Sequence, residues 1–174
     1  MTADTLSCLE PDLTWSFEPF DNLPLRTLYE VLQLRSEVFV VEQACIFQDL
    51  DGADDQAMHL LGRSGGQLMA YARCFPAGVK YAEASIGRVI TRSSARACGM
   101  GHVLMQRAID AIHTHWGAPP IRIGAQARLE NFYNQHGFAK AGPVYDEDGI
   151  DHIEMVRPAE FDRTHPINLT ETTQ

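Results

Sequence analysis

Residues 85–109 constrain the fold of this chain most strongly, because they join a strand to a helix through Gly99 and Gly101. The strand ends in a β-branched run, which is Val89, Ile90 and Thr91. A small polar loop follows, and then a segment of helical periodicity over about 101–116. Its apolar residues recur at three- and four-residue spacing: Leu104, Met105, Ala108, Ile109, Ile112 and Trp116.

A glycine-lined helix entrance of this kind is suited to binding an anion. The first amides of a helix have no partner inside it, and the aligned peptide dipoles place partial positive charge there. Glycines let a bulky anion approach those amides. The window 88–107 has no Asp or Glu and contains four arginines: Arg88, Arg92, Arg96 and Arg107. In a chain of net charge -9 this local reversal of sign predicts a site for a phosphate-bearing ligand.

Two common phosphate motifs are excluded. A Walker A loop needs a Lys after its second glycine, and none follows Gly101. The dinucleotide fingerprint needs a third glycine, where this chain has Leu104. A strand-to-helix turn that binds no ligand remains the structural alternative.

Length and composition narrow the class of protein. A chain of 174 residues fits one domain with a single core. There is no apolar run of about 18 residues, so we expect no membrane partner, and the acidic first residues do not resemble a secretory signal. The acidic total argues against nucleic-acid binding. The scattered cysteines have no metal-site spacing, so we expect no metal and free thiols in a cytoplasmic protein, with Cys98 a small filler of the glycine loop.

The order of predicted elements is β-α-β-β-β-α-β-α-β-β, typical of an α+β sheet of mixed direction with helices on both faces. Strands are predicted at 13–20, 59–62, 67–75, up to Thr91, 121–126, from 138 to 141 and at 152–156. Helices are predicted over about 25–39, 101–116 and 129–136, the last two capped by Gly117 and Gly137. We expect a loose segment at 1–12, one domain at 13–157 and a polar tail at 158–174.

Two acidic segments stand out, at 42–55 and 145–154. The segment 42–55 contains no Lys or Arg, and two interpretations fit it equally well. It is either a solvated loop or the rim of a binding site that attracts a cationic acceptor. We expect 145–151 to form an acidic turn.

The sequence Arg96-x-x-Gly99-x-Gly101 resembles the coenzyme A signature of the GCN5-related N-acetyltransferases (GNATs). Residues 131–138, N-F-Y-N-Q-H-G-F, resemble the family's last conserved helix. The stretches L-R-S-E-V-F-V-V-E-Q, S-I-G-R-V and Y-D-E-D-G-I are similar to the ElaA-type branch of bacterial GNAT proteins. The resemblance covers about 13–157 and implies a mostly antiparallel sheet of six to seven strands, splayed where acetyl-CoA binds.

The resemblance also implies the residues that contact coenzyme A. Val89 and Thr91 would offer main-chain groups to the pantetheine arm, and Ile90 an amide to the thioester carbonyl. The pyrophosphate would meet Arg96, Ala97, Cys98, Gly99, Met100, Gly101 and, just beyond, His102. Gln126 stands where many relatives carry an Asn.

By the same resemblance Tyr133 lies near the CoA sulfur, where a phenol can protonate the leaving thiolate. The structural alternative is that Tyr133 is a packing residue on its helix. Some relatives use a Glu on the strand at 121–125 as the base, and this chain has none there. Candidates for the base and for acceptor contacts are Glu42, Asp51, His152 and Glu154.

Together these features predict an acyl-CoA-dependent N-acyltransferase that moves an acetyl group to a primary amine in a ternary complex. The acidic segments suggest a cationic acceptor, either a small molecule or a peptide. The alternatives are a catalytically silent CoA-binding regulatory or scaffold module, and a transferase using another nucleotide. We expect a monomer or homodimer.

Overall fold

The computed structural model describes residues 13–96 and 98–159 and shows a seven-stranded sheet with helices on both faces. The strands are β1 (Thr14–Pro19), β2 (Met58–Ser64), β3 (Gln67–Phe75), β4 (Ala84–Thr91), β5 (Ile121–Gln126), β6 (Ala139–Glu147) and β7 (Ile150–Arg157). The helices are α1 (Leu25–Arg35), α2 (Ser93–Arg96), α3 (Met100–Trp116) and α4 (Glu130–Asn134). The predicted loose segment 1–12 and nearly all of the predicted tail lie outside the described residues.

The strand order in the sheet is β1-β2-β3-β4-β5-β7-β6. Every neighbouring pair is antiparallel except β4 and β5, which are parallel and joined by the long crossover through α3. The predicted fold class, a mostly antiparallel mixed sheet with helices, is confirmed.

Alternation along the strands divides the core into two clusters, one on each face of the sheet. On the α3 face, Leu104 and Ile109 pack with Leu60 and Ala72. On the α1 face, Val31, Leu34 and Val38 pack with strand residues Leu61, Tyr71 and Ile90. Because neighbouring strand residues point to opposite faces, Leu60 and Leu61 enter different clusters. None of the helices within the described residues is long and apolar enough to cross a membrane.

Local signals explain where the helices start and stop. Pro24 precedes α1 and accepts the amide of Leu28. Gly117 ends α3 at a φ of 72°, with its amide on the His113 carbonyl, as the sequence predicts. Gly137 follows α4 at a φ of 80°.

Two predicted boundaries are wrong. The first helix does not continue regularly to residue 39, since α1 ends at Arg35 and residues 36–42 form a π-helical segment. The predicted acidic turn at 145–151 is mostly strand, because β6 extends to Glu147 and only Asp148 and Gly149 reverse the chain before β7. Both turn residues adopt positive φ, the conformation that Asp and Gly tolerate in tight turns.

Candidate functional site

The sheet is open between β4 and β5. These strands pair at only two positions, Ala84 with Ile121 and Ser85 with Arg122, and then diverge. A cavity of about 290 Å³ lies at the divergence. Its lining includes Val89 of β4, Gln126 of β5, and Leu129 and Tyr133 from the segment that follows β5. The splay expected from the sequence is therefore present, and it opens toward the end of β4 that leads to the glycine loop.

A bulge in β4 faces this cavity. Tyr71 pairs with Ile90 and Arg73 with Gly87, so that two residues of β4 lie opposite the single residue Ala72 of β3. Arg88, the first of the two, has a φ of 51°. A bulge leaves a backbone group outside the ladder and kinks its strand.

The three residues that follow the start of the bulge, at the end of β4, lie in different environments. Val89 lines the cavity. Ile90 is buried in the α1-side cluster and pairs with Tyr71. It is not among the described residues that line the cavity. Thr91 lies further on, where its carbonyl accepts hydrogen bonds from Arg96 Nε and Nη2.

The glycine loop leads into the N-terminus of α3 as the sequence predicts. Gly99 adopts a φ of 72° directly before Met100, the first residue of α3, and its carbonyl accepts the amides of His102 and Val103. Met100 and Gly101 therefore occupy the positions whose amides have no acceptor inside a helix. A Cβ on Gly101 would lie 3.6 Å from the ring of Phe132, so this glycine approaches α4 closely. Ala97 lies outside the described residues, and Cys98 is half-buried.

The side chain of His102 turns from the loop toward α4. Its ring centroid lies 4.6 Å from that of Phe132, and its Nδ1 is 3.0 Å from Nε2 of His136. Burial lowers the pKa of His136, with a further contribution from the nearby His102.

Three of the four arginines near the glycine loop are ion-paired, so they are not a local excess of positive charge in the folded chain. Arg88 binds Asp49, with Nε 2.6 Å from Oδ1. Arg92 Nη1 lies 3.1 Å from Glu37 Oε2. Arg96 Nη2 lies 2.6 Å from Glu42 Oε2. The partners all come from the segment 37–49, so the local reversal of sign along the chain is balanced in three dimensions.

Tyr133 is buried where α4 meets the cavity. Only 8% of the residue is exposed, and its ring packs edge-on against Phe132 and Phe138. Burial raises the pKa of Tyr133 to about 12, which keeps the phenol protonated at neutral pH.

Gln126 forms a bridge across the cavity mouth. Its amide nitrogen donates to Gln43 Oε1 at 3.2 Å, and its Oε1 accepts from Arg128 Nε and Nη2 at 3.0 and 2.8 Å. Cys45 lies two residues after Gln43, and its Sγ contacts the Asp148 carbonyl at 3.6 Å. The segment 42–45 is thus attached to α2, to β5 and to the β6–β7 turn.

The four candidates for base and acceptor contacts lie in different environments. Glu42 binds Arg96, and Asp51 binds Arg73 in a bidentate pair at 2.7 and 2.8 Å. Glu154 Oε2 lies 2.7 Å from Arg122 Nη1. His152 lines the cavity opposite β4 and pairs across strands with Gln126.

A buried charge network lies behind the cavity, and sequence reasoning missed it. Arg35 is fully buried and binds Asp49 and Asp54, each at 2.7 Å. Arg73 is 2% exposed, and its Nη1 binds Asp54 at 2.8 Å. The solvated-loop interpretation of 42–55 is wrong for Asp49, Asp51 and Asp54. The sequence does contain one signal for this network, which is the charged residue Arg73 within an otherwise buried strand. A buried charge needs a partner of opposite charge, so Arg73 predicts nearby carboxylates.

The network also fixes a neutral histidine. His59 Nε2 lies 2.9 Å from the Asp54 carbonyl, which can only accept, so this nitrogen carries the proton. Its Nδ1 then accepts the hydroxyl of Tyr71 at 2.7 Å. Burial lowers the pKa of His59, consistent with this neutral form.

In the described part of the chain, Cys45, Cys74 and Cys98 are thiols rather than disulfides. Burial raises the pKa of the Cys74 thiol far above its usual range. Among residues 13–96 and 98–159, no group of three or more His, Cys, Asp or Glu side chains is placed to hold a metal ion.

Comparison with known proteins matches this arrangement. Residues 31–158 match the family model described as an acetyltransferase (GNAT) domain. Protein ElaA of Escherichia coli strain K12 is 41% identical over 147 residues, which cover 83% of this chain and 96% of ElaA. The crystal structure of an acyl-CoA N-acyltransferase from Pseudomonas aeruginosa has a TM-score of 0.80 at 42% identity, covering 84% of this chain and 99% of that one. The crystal structure of Escherichia coli ElaA has a TM-score of 0.78 at 40% identity, covering 83% and 99%.

Proposed function

This chain belongs to the GNAT acetyltransferase family, and from that premise we propose that it is an acyl-CoA-dependent N-acyltransferase. We infer that it moves an acetyl group from acetyl-CoA to a primary amine by direct attack in a ternary complex. One observation carries the proposal: the cavity between β4 and β5 is lined by Val89, Gln126 and Tyr133, which the family resemblance assigns to the acyl-CoA side.

The residues present fit a CoA substrate. The divergence of two parallel strands leaves edge groups of β4 and β5 facing a gap, and the loop that follows β4 leads to the Met100 and Gly101 amides at the start of α3. Bound acetyl-CoA supplies an acyl group activated as a thioester. In our proposal the Met100 and Gly101 amides bind the pyrophosphate, and Arg96 exchanges Glu42 for phosphate oxygens.

The β4 bulge suggests which amide polarises the thioester carbonyl. An amide outside the ladder can donate to a substrate oxygen without breaking the sheet. We therefore assign this role to the Val89 amide, because Val89 lines the cavity and Ile90 pairs with Tyr71. Val89 and Thr91 keep their proposed contacts to the pantetheine arm.

Tyr133 acts as the general acid in this mechanism. The phenol lines the cavity, so it can donate a hydrogen bond to the thioester sulfur and pass its proton to that sulfur as the C–S bond breaks. Burial also shields the proton transfer from bulk water.

His152 is the candidate general base. Its Nδ1 lies 2.8 Å from the Ile150 carbonyl, which can only accept, so Nδ1 carries a proton and Nε2 is the nitrogen that can act as the base. A neutral imidazole with a fixed tautomer can take a proton from an ammonium acceptor, directly or through water. Glu42, Asp51 and Glu154 each bind an arginine of the chain, so we propose that they are partners of those arginines and that none of them is the base.

Mass spectrometry of amines and peptides incubated with the protein and acetyl-CoA tests the function. The proposal predicts an acceptor that gains the mass of one acetyl group, with an equal amount of CoA released. Tight CoA binding without transfer to any amine would instead identify a CoA-binding module without turnover. Preference for ATP or NAD over CoA in calorimetry would identify a different transferase.

A further inference from the structure

The cavity between β4 and β5 carries opposite charges on its two sides. Arg73, Lys80 and Arg88 line it from β3, from the connection between β3 and β4, and from the β4 bulge. Glu147 at the end of β6 and Asp148 in the β6–β7 turn also line it. The strand order places Arg73 and Arg88, on β3 and β4, on one side of the opening and Glu147 on the other. Lys80 binds Asp51, which is also the partner of Arg73.

The ion-pair network on the cationic side has more positive than negative charges. Its basic residues are Arg35, Arg73, Lys80 and Arg88, and its acidic residues are Asp49, Asp51 and Asp54. Four positive charges against three negative charges leave one positive charge. The hydrogen bonds from Arg73 hold the pKa of Asp51 well below its usual range, so the carboxylate is ionised at neutral pH.

This side also keeps hydrogen-bonding capacity. Lys80 Nζ lies 3.3 Å from Asp51 Oδ2, a longer separation than the 2.7 Å of the Arg73–Asp51 pair. The Lys80 side chain is 40% exposed, so its ammonium can turn toward a ligand in the cavity.

The aromatic rings on the same side already face cations of the chain. Arg73 and Lys80 lie 5.0 and 5.8 Å from the centroid of Phe75, and Arg88 lies 5.6 Å from that of Phe47. A ring that already faces a cation offers less attraction to a second one. This side of the cavity is therefore unsuited to an ammonium group and suited to a carboxylate.

The opposite side suits an ammonium group. Glu147 and Asp148 supply negative charge there, and His152 supplies the Nε2 proposed as the base. The remaining cation of the lining, Arg128, is hydrogen-bonded to Gln126, a residue proposed to contact CoA.

Resting on the acyltransferase function proposed above, we propose that the acceptor is a small zwitterion, an amino acid or a close analogue. Its carboxylate binds Lys80 beside Arg73 and Arg88, and its amine lies at His152 and Glu147. The purely cationic acceptor expected from the acidic segments would place its second charge against the cationic side.

Matched acceptor pairs test the substrate class: lysine with cadaverine, phenylalanine with phenethylamine, and alanine with ethylamine. Within each pair the carboxylate is the main difference. Loss of a charge-assisted interaction predicts a kcat/KM lower by roughly ten- to a hundredfold for the decarboxylated amine. Lys80→Met should shrink that ratio to a few-fold at most, while Lys140→Met, which removes an exposed lysine of β6, should leave it unchanged.

Calorimetry with free CoA present gives a readout that needs no turnover. The zwitterion should bind the CoA complex more tightly than its decarboxylated partner, and Lys80→Met should remove the difference. Equal binding and equal turnover within each pair would overturn this inference and leave the acyltransferase proposal standing. Absence of transfer to every amine, with preferential zwitterion binding retained, would overturn the proposed function and not the site.

Discussion

Arg96 Nη2 lies 2.6 Å from Glu42 Oε2, so the guanidinium assigned to the pyrophosphate is held by a carboxylate of the same chain. Glu42 ends the π-helical segment that follows α1, and Arg96 ends α2. Gln43, the next residue, is hydrogen-bonded to Gln126, a second residue assigned to CoA. The segment 42–43 therefore engages two of the groups that would bind the carrier.

Replacing Glu42 with Gln should tighten CoA binding. The variant removes the carboxylate that competes with phosphate for Arg96, and a partly exposed pair of this kind corresponds to about a two- to fivefold lower Kd for CoA. Calorimetry at low salt measures the change, which should shrink as salt screens the charges. Glu37→Gln, which removes the partner of Arg92, is the charge-matched control and should have the smaller effect. Weaker binding in Glu42→Gln would show that the carboxylate supports the CoA site.

Tyr133→Phe should lower kcat by about a hundredfold or more and leave the Kd for CoA nearly unchanged, because only proton donation is removed. The matched control is Tyr29→Phe, since Tyr29 is 71% exposed on α1. Steady-state kinetics with calorimetry separates the two effects. Unchanged kcat in Tyr133→Phe would return Tyr133 to the packing role that is its structural alternative.

Asp54→Ala should destabilise the fold by about 3–5 kcal/mol, because Arg35 and Arg73 would each lose a buried partner. Glu30→Ala breaks the more exposed pair with Arg63 and should cost about 1 kcal/mol or less. Urea unfolding followed by circular dichroism measures both. Similar losses for the two variants would contradict the structural role assigned to the buried network.

Much of the fold follows from short-range patterns in the sequence. Alternation and turn residues predict the order of the strands, and Gly117 and Gly137 predict the ends of α3 and α4, because these signals act over a few residues. The glycine loop predicts the anion-binding geometry at Met100 for the same reason. The ElaA-type resemblance adds the splay between β4 and β5.

Long-range pairing is what the sequence leaves open. Arg96 reaches Glu42 across 54 positions, and Arg88 reaches Asp49 across 39. No periodicity links such residues, so a local excess of positive charge over 88–107 and a solvated acidic loop are reasonable predictions that tertiary contacts overturn. The β4 bulge at Arg88 cannot be predicted from local sequence either, because it depends on the register between β4 and β3.

Stability should fall on acidification in two stages. Burial lowers the pKa of His59, so the unfolded chain takes up that proton near pH 6.5 before the folded chain does, and stability declines as the pH falls below that value. The pKa of Asp54 is lowered although burial opposes it, because Arg73 and Arg35 favour the carboxylate, and that of Asp51 is lowered by Arg73. The contribution of these two carboxylates to stability is complete above the ordinary Asp pKa of 3.8 and is lost as the pH falls below that value.

Urea unfolding across pH 3–7 checks both stages. His59→Gln should flatten the upper stage and leave the lower one in place, because it removes the titrating imidazole only. A wild-type stability that stays level between pH 7 and 5 would contradict the neutral buried histidine.

A crystal structure of the protein grown with coenzyme A tests the central claim most directly. The account predicts the pantetheine arm between β4 and β5, the sulfur within hydrogen-bond reach of the Tyr133 hydroxyl, the pyrophosphate on the Met100 and Gly101 amides, and Arg96 released from Glu42. Coenzyme A bound elsewhere, with β4 and β5 enclosing an empty cavity and the Arg96–Glu42 pair intact, would contradict it.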